Sequence, residues 1–372
     1  LKEVSGSLGD LGTFFPLIVG MVSAGSASAS GALIWFGLFS ILTGLTFGIP
    51  LAVQPMKAIA SYSIAHRLPP EALAAAGLVT GAAVLLASQT RILKVLHEHL
   101  SRTVIIGLQV TLGLQLSYTA LTMMMQRPLL GPDSLAVGVL SLMVIILSLR
   151  FKAFPAALFL TFAGVAIALA LNPQILLGAK LEFHLPHLVA PSAGNMVEVL
   201  EMAVAQVPLT VTNSLLATVA VARRYFPQRP PAIQSVALNL SAINLSAPLL
   251  GGIPMCYGAG GITSWYKFGA RTAASMLFFG TTLMALGLFF GSLAIALMAA
   301  FPLTVLAAML LFIGFQLTLM VRESPKPRDL LVVTVTVAVA ILSNMFLGLA
   351  AGFICSTILK RTTLSRCAQG AG

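Results

Sequence analysis

The chain has 372 residues, a formal net charge of +11, 58% hydrophobic residues and only 8% charged ones. A soluble domain carries roughly 25% charged residues, so a water-soluble fold of this length is excluded and the bilayer must be the solvent for most of the chain. Backbone groups in lipid have to be satisfied internally. Because the apolar residues run in long blocks and do not alternate, the spans are read as helices and not as barrel strands.

In chain order the blocks predict roughly fourteen membrane segments. Those of the first half lie near 6–24, 32–49, 53–66, 70–89, 103–125, 134–149 and 153–171. Those of the second lie near 195–220, 231–248, 256–267, 271–291, 293–320, 329–345 and 346–360. The first block carries Asp10 and Pro16 and lacks a basic leader, so it does not read as a secretory signal. Two blocks, 53–66 and 256–267, are too short to cross about 30 Å of hydrocarbon at about 1.5 Å per helical residue.

Placing the N-terminus in the cytoplasm puts seventeen of the 21 basic residues in inside loops, among them Lys2, Arg91, Lys94, Arg150, Lys152, Arg223, Arg224, Lys267, Arg271 and Arg366. Outside loops then hold Arg67, Arg127 and Lys180, and Lys57 alone falls within a span. This bias assigns the positive charge to cytoplasmic loops, not to nucleic acid, and favours both termini inside.

The halves match at several anchors. Pro16-Leu17 parallels Pro208-Leu209, and Gly48 through Tyr62 lies on Gly251 through Trp265 without a gap. Gly113-Leu114-Gln115-Leu116 parallels Gly314-Phe315-Gln316-Leu317, Thr103 falls on Thr304, and Asp133 falls on Asp329. The expected fold class is therefore an all-α polytopic membrane protein of two inverted seven-segment repeats. The expected organisation is 1–171 for the first repeat, 172–194 for an extracytoplasmic linker, 195–360 for the second repeat and 361–372 for a cytoplasmic tail. Inverted repeats mark secondary transporters, whose sites lie near the midplane where broken helices point their ends at substrate.

Each short segment is third in its half. Pro50 and Pro55 forbid a continuous helix in the first, so an extended piece over about 50–54 should feed a half-helix starting at Pro55, Met56 and Lys57. The second has a Pro254-containing lead and a helix start near Gly258, followed by Ala259, Gly260 and Gly261. Two opposed N-termini would offer free N–H groups and positive dipole ends to an anion. A cation in the first helical turn, as at Lys57, is opposed by the dipole unless a doubly charged anion sits there. Close helix packing at the glycines and a Lys57–Asp10 ion pair are the competing readings. Gln206 and Asn213 share a helix face around Pro208 and are candidate neutral donors. Gln54 and Tyr257 correspond across the repeat and could donate from the two helix starts. Asp10 and Thr13 lie early in the first span; Thr13 is a candidate binding residue, and Asp10 is a candidate for reaching the site or coupling a proton, the alternative being a mark of the cytoplasmic interface. Glu198 and Glu201 read as charges at a helix N-terminus.

Cys256, Cys355 and Cys367 show no paired spacing, and His97, His99, His184 and His187 fall in predicted loops, so neither metal site nor cofactor is expected. No Ser–His pair lies in the spans and no phosphate-cradling GxxxxGK[ST] run occurs, so neither an intramembrane enzyme nor an ATP-driven pump is expected.

Gly9-Asp10-Leu11-Gly12-Thr13 with Pro16, then Gln54-Pro55-Met56-Lys57-Ala58-Ile59-Ala60, then Pro254-Met255-Cys256-Tyr257-Gly258-Ala259-Gly260-Gly261 and Tyr266-Lys267-Phe268-Gly269-Ala270-Arg271, resemble the molybdate-transporter family related to sulfate permeases. The resemblance covers nearly the whole chain. It implies a uracil-permease-like fold of core (segments 1–4 and 8–11) and gate (segments 5–7 and 12–14), high-affinity molybdate uptake, and a site between the third and tenth segments. Tyr257 departs from the family pattern, where His is expected. The resulting expectation is a secondary active molybdate importer of the bacterial inner membrane, with a proton or sodium as coupling ion and a homodimer as a candidate assembly. A carrier of sulfate or another oxyanion, and an anion channel on the same scaffold, are the alternatives.

Overall fold

The computed structural model describes residues 1–90, 101–150, 154–177, 181, 183, 187–192, 194–324 and 326–369. Arg91, Lys94, His97, His99, Lys152, Lys180 and His184 lie outside the described residues, as do the side chains of Lys360, Arg361, Arg366 and Cys367.

The chain is almost wholly helical. Its first part runs α1 (Lys2–Ser7), α2 (Leu11–Ser23), α3 (Ala29–Phe47), β1 (Val53–Pro55), α4 (Lys57–His66), α5 (Pro70–Gln89), α6 (Arg102–Met125), α7 (Leu135–Ser148), α8 (Ala156–Leu171) and the short α9 (Gln174–Leu177). The second part starts with the long helix α10 (Met196–Tyr225). It continues with α11 (Ile233–Ser246), β2 (Met255–Tyr257), α12 (Ala259–Phe268), α13 (Ala274–Phe289), α14 (Gly291–Ala300), α15 (Leu303–Thr318), α16 (Pro327–Leu342) and α17 (Met345–Gln369). Among the described residues, six helices are long and apolar enough to cross a membrane, seven if the bent pair α13–α14 is one span.

Local chemistry sets several boundaries. Ser28, Ser101 and Ser134 accept hydrogen bonds from backbone N–H groups three residues on and so cap α3, α6 and α7. Gly48 ends α3 in the left-handed conformation that glycine tolerates best. The expected single segment over 293–320 is not continuous. Gly291–Ala300 turns 115° from Ala274–Phe289. Phe301 is extended (φ −66°, ψ 134°) ahead of Pro302, because a residue preceding proline is driven out of the helical region. The span proper starts at Leu303. At the C-terminus, α17 continues past 360 to Gln369 without a break where the tail was expected to leave the helix.

The helices pack in crossed pairs. The largest contacts are α3 with α13, α6 with α15, α5 with α10 and α11, and α16 with α6 and α17. Two glycines permit the α6–α15 crossing. A Cβ on Gly113 would lie 2.6 Å from the carbonyl oxygen of Gly314, and one on Gly314 would lie 2.7 Å from the carbonyl oxygen of Gly113. Reciprocal polar contacts tie the starts of these two helices to their other neighbours, α6 to α16 and α15 to the turn before α7. Thr103 Oγ1 donates to Asp329 at 3.2 Å, and Thr304 donates to Asp133 through its N–H and its hydroxyl, both at 2.9 Å. These four residues are the pairs that match between the two halves of the sequence.

Substituting Gly113→Leu places a branched side chain against backbone that cannot yield, so overpacking should cost about 1–3 kcal/mol. A lowered unfolding temperature of the purified protein in detergent is the expected outcome. The exposed neighbour Leu114, changed to Ala, should leave it almost unmoved.

Candidate functional site

β1 and β2 pair antiparallel, Val53 with Tyr257, Gln54 with Cys256 and Pro55 with Met255. They form the one sheet among the described residues. Met56 N–H extends the ladder to the Pro254 carbonyl at 3.1 Å. The Asn244 side chain grips β2 like a further strand: its Nδ2 donates to the Met255 carbonyl (2.7 Å) and its Oδ1 accepts from the Met255 N–H (2.8 Å). Strand pairing keeps Pro55 extended, so α4 starts at Lys57, two residues later than a proline-initiated helix would. α12 starts at Ala259 behind Gly258. Each helix has ten residues, about 15 Å of helix.

Both helix starts are capped from α10. Pro208 lacks an N–H inside that helix, and a π-helical turn follows over Thr210–Ala217. Gln206, before this irregularity, accepts the Ala58 N–H of α4 through Oε1 at 3.0 Å. Asn213, within it, accepts the Ala259 N–H of α12 through Oδ1 at 3.3 Å. Both amides therefore meet the helix ends as acceptors, not as the donors expected from sequence. Gln206 Nε2 is spent on Thr210 Oγ1 (3.0 Å), whereas Asn213 Nδ2 has no partner among the described residues.

A second group lies behind β1. Asp10 accepts from Thr13 Oγ1 (2.6 Å) and from Gln54 Nε2. Gln54 Oε1 is buried without a partner. It lies against the α12 start, since a Cβ on Gly258 would sit 2.2 Å from it. Tyr257 diverges from expectation: its hydroxyl donates to Asn239 and lies 3.2 Å from Thr43 Oγ1. Its side chain is turned away from the helix starts. Cys256 and Met56 are buried in the surrounding core.

A cavity of about 980 Å³ opens beside the α4 start, lined by Lys57, Ser61, Gln115, Glu201, Asn213 and Asn344 together with Leu112, Leu116, Leu209 and Met345. Of the substrate-binding residues expected from sequence, Lys57 and Asn213 line it, beside Gln115 and Glu201, which sequence had placed in other roles. The α12 start is set back, with Leu116 covering Gly260: a Cβ there would lie 3.0 Å from Leu116 Cδ1. Among the described residues Lys57 forms no ion pair, and Asp10 is engaged by Thr13 and Gln54 instead. Glu201 is not merely a helix-end charge, because it lines the cavity and accepts the Tyr62 hydroxyl. Asn244, Asn239 and Asn344 were missed by sequence reasoning. The signal for the first two was a pair of amides inside an otherwise apolar span.

A family model described as "Molybdate transporter of MFS superfamily" matches residues 2–116 and 198–317. Molybdate transporter 2 of Arabidopsis thaliana is 30% identical over 98% of this chain and 88% of that protein. Molybdate transporter 1 of Chlamydomonas reinhardtii is 28% identical over 95% of this chain and 90% of its own length. Among solved structures, the transmembrane domain of the cyanobacterial bicarbonate transporter BicA superposes with a TM-score of 0.59 at 19% identity, covering 94% of this chain and 96% of that one. SLC26A9 superposes with a TM-score of 0.62 at 13% identity, covering 96% of this chain. The chain spans 64% of the SLC26A9 length. At such identities the likeness establishes the fold alone.

The capping geometry carries its own test. Gln206→Leu keeps the side chain's bulk but strands the Ala58 N–H, and loss of a helix N-terminal acceptor costs about 1 kcal/mol. Denaturant or thermal unfolding should register that loss, and an unchanged midpoint would show the contact to be energetically idle.

Proposed function

The chain belongs to the molybdate-transporter family, and from that premise we propose that it is a secondary active carrier that imports molybdate by alternating access. The observation that carries the reading is the convergence of two ten-residue helix starts, held together by β1 and β2, with Lys57 facing an open cavity. Helix N-termini attract anions through free N–H groups and the dipole. Lys57, set on the first turn of α4, adds a full charge.

The binding residues in this reading are Lys57 with the backbone of Pro55, Met56 and Ala58 on one side. Gly258, Ala259, Gly260 and Gly261 lie on the other. Gln206 and Asn213 present the helix ends, and Gln54 and Thr13 stand behind. The segments divide into a core of α2–α5 with α10–α13, and a gate of α6–α8 with α15–α17. The reciprocal Thr103–Asp329 and Thr304–Asp133 contacts, falling on matched positions, support two inverted repeats of seven segments with the short strand–helix units third in each. The concentration of basic residues in alternate loops supports termini on the cytoplasmic side of the cell membrane. Energy would come from an ion gradient or from the membrane potential.

Among the described residues Lys57 is the one cation lining the cavity, and Lys57→Ala removes it. A hydrogen bond to a charged group contributes about 1.5–3 kcal/mol, so molybdate affinity should fall by at least about tenfold. Direct binding of labelled molybdate to purified wild type and variant measures this, with sulfate and tungstate as competitors. Undiminished affinity in the variant overturns the assignment of Lys57, and displacement by sulfate at equal concentration reassigns the substrate. Counterflow into preloaded vesicles should accelerate uptake, as a channel would not.

A further inference from the structure

The buried oxygen of Gln54 has no partner, although its amide nitrogen is fully engaged. Leaving a buried acceptor unpaired is unfavourable. The oxygen lies beside Gly258, where α12 starts and where the dipole favours negative charge. On its other side the same amide gives its Nε2–H to Asp10 Oδ2.

An amide has one donor end and one acceptor end. An ionised Asp10 accepts only, so it holds the Gln54 nitrogen toward itself and leaves the oxygen toward α12. A protonated Asp10 can donate instead. Its O–H would then pair with the Gln54 oxygen, and the amide would turn by half a rotation about its terminal bond. The oxygen gains a partner, and the two N–H donors now face the start of α12.

We propose that Gln54 transmits protonation of Asp10 to the anion site by this reversal, so that proton uptake at Asp10 and oxyanion binding at α12 favour one another. The inference rests on the reading of the α12 start as part of the anion site. The balance is simple: one proton passes from water to Asp10 Oδ2, no covalent bond to the anion is made, and the proton leaves by the same oxygen when the amide returns. Thr13 Oγ1 keeps its bond to Asp10 Oδ1 throughout. Gly261 of α12 packs against Asp10 and brings no titratable group, since a Cβ there would lie 3.1 Å from Asp10 Oδ2. The other titratable groups acting on this corner are Lys57 from α4 and Cys256 from β2. Asp10 is half-buried.

The test measures molybdate affinity between about pH 6 and 8, and proton uptake in weak buffer when molybdate is added. Wild type should bind more tightly as pH falls, by up to about tenfold per unit for one coupled proton, and should take up protons on binding. Asp10→Asn offers a permanent N–H to the Gln54 oxygen. It should bind with the wild type's low-pH affinity at every pH and take up no proton. Gln54→Met, which has neither donor nor acceptor to reverse, should also lose the pH slope. If that variant does not fold, Asp10→Asn and the proton measurement decide alone. Wild type binding with no pH dependence, or Asp10→Asn retaining the wild-type slope and proton uptake, overturns the proposal. Failure of wild type to bind molybdate at any pH overturns the transport assignment instead.

Discussion

Everything at the centre of this molecule depends on a backbone requirement. Inside a bilayer no water satisfies an exposed N–H or C=O, so a chain can leave the helical state only where protein supplies partners. Residues 53–55 and 255–257 leave it together and satisfy one another. Asn244 completes the outer edge of β2, and the ladder runs on through Met56 to Pro254. The short ladder fixes where α4 and α12 start. Neither helix could hold its free N-terminus in this environment alone, and each borrows an amide oxygen from α10.

The same economy shapes the surroundings. α10 can serve both ends because Pro208 and the π turn that follows rotate Asn213 out of the register a regular helix would impose. Gln206 then meets α4 while Asn213 meets α12. Around this centre, α6 and α15 approach closely enough for carbonyl oxygens to occupy the space a side chain would need at Gly113 and Gly314. Membrane helices associate by such close packing, since lipid offers no hydrophobic gain between them. The Asp329 and Asp133 contacts to Thr103 and Thr304 tie the starts of α6 and α15 to the helices beside them.

Much of this was legible in the sequence because proline and glycine act locally. Pro50, Pro55 and Pro254 announced the breaks, and Gly258 marked the α12 start. The matched Thr103/Thr304 and Asp133/Asp329 pairs were visible, although nothing in one dimension could show that each threonine meets the other half's aspartate. What sequence reasoning lost depended on long-range partners. Pro55 reads as a helix opener until a second strand holds it extended. Tyr257 reads as a donor to the site until Asn239 and Thr43 claim its hydroxyl. The sequence reading put a segment break near the bend of α13 into α14, but the second break at Phe301 and Pro302 lies inside the apolar stretch from 293 to 320, which conceals it.

The two sides of the site are unlike, and the difference bears on how a carrier can bind and still release. The sequence match lays Lys57 on Gly260, so one helix start brings a full cation and the other brings only backbone. A second lysine would bind a dianion more strongly, but conduction through any such site requires binding weak enough to be undone. The capping amides act in the same direction. An anion reaching the Ala58 or Ala259 N–H must displace an amide oxygen that already satisfies it, so it gains only the difference between two hydrogen bonds. Both side chains are buried, but Asn213 borders the cavity, whereas Gln206 does not and is tied to Thr210. Access is unequal as well, since Lys57 faces the cavity and Leu116 stands over Gly260. At the proposed site an incoming anion would therefore meet the lysine first and the glycine-rich start second. Movement of α6 relative to α12 is what would join the two halves of the site around it.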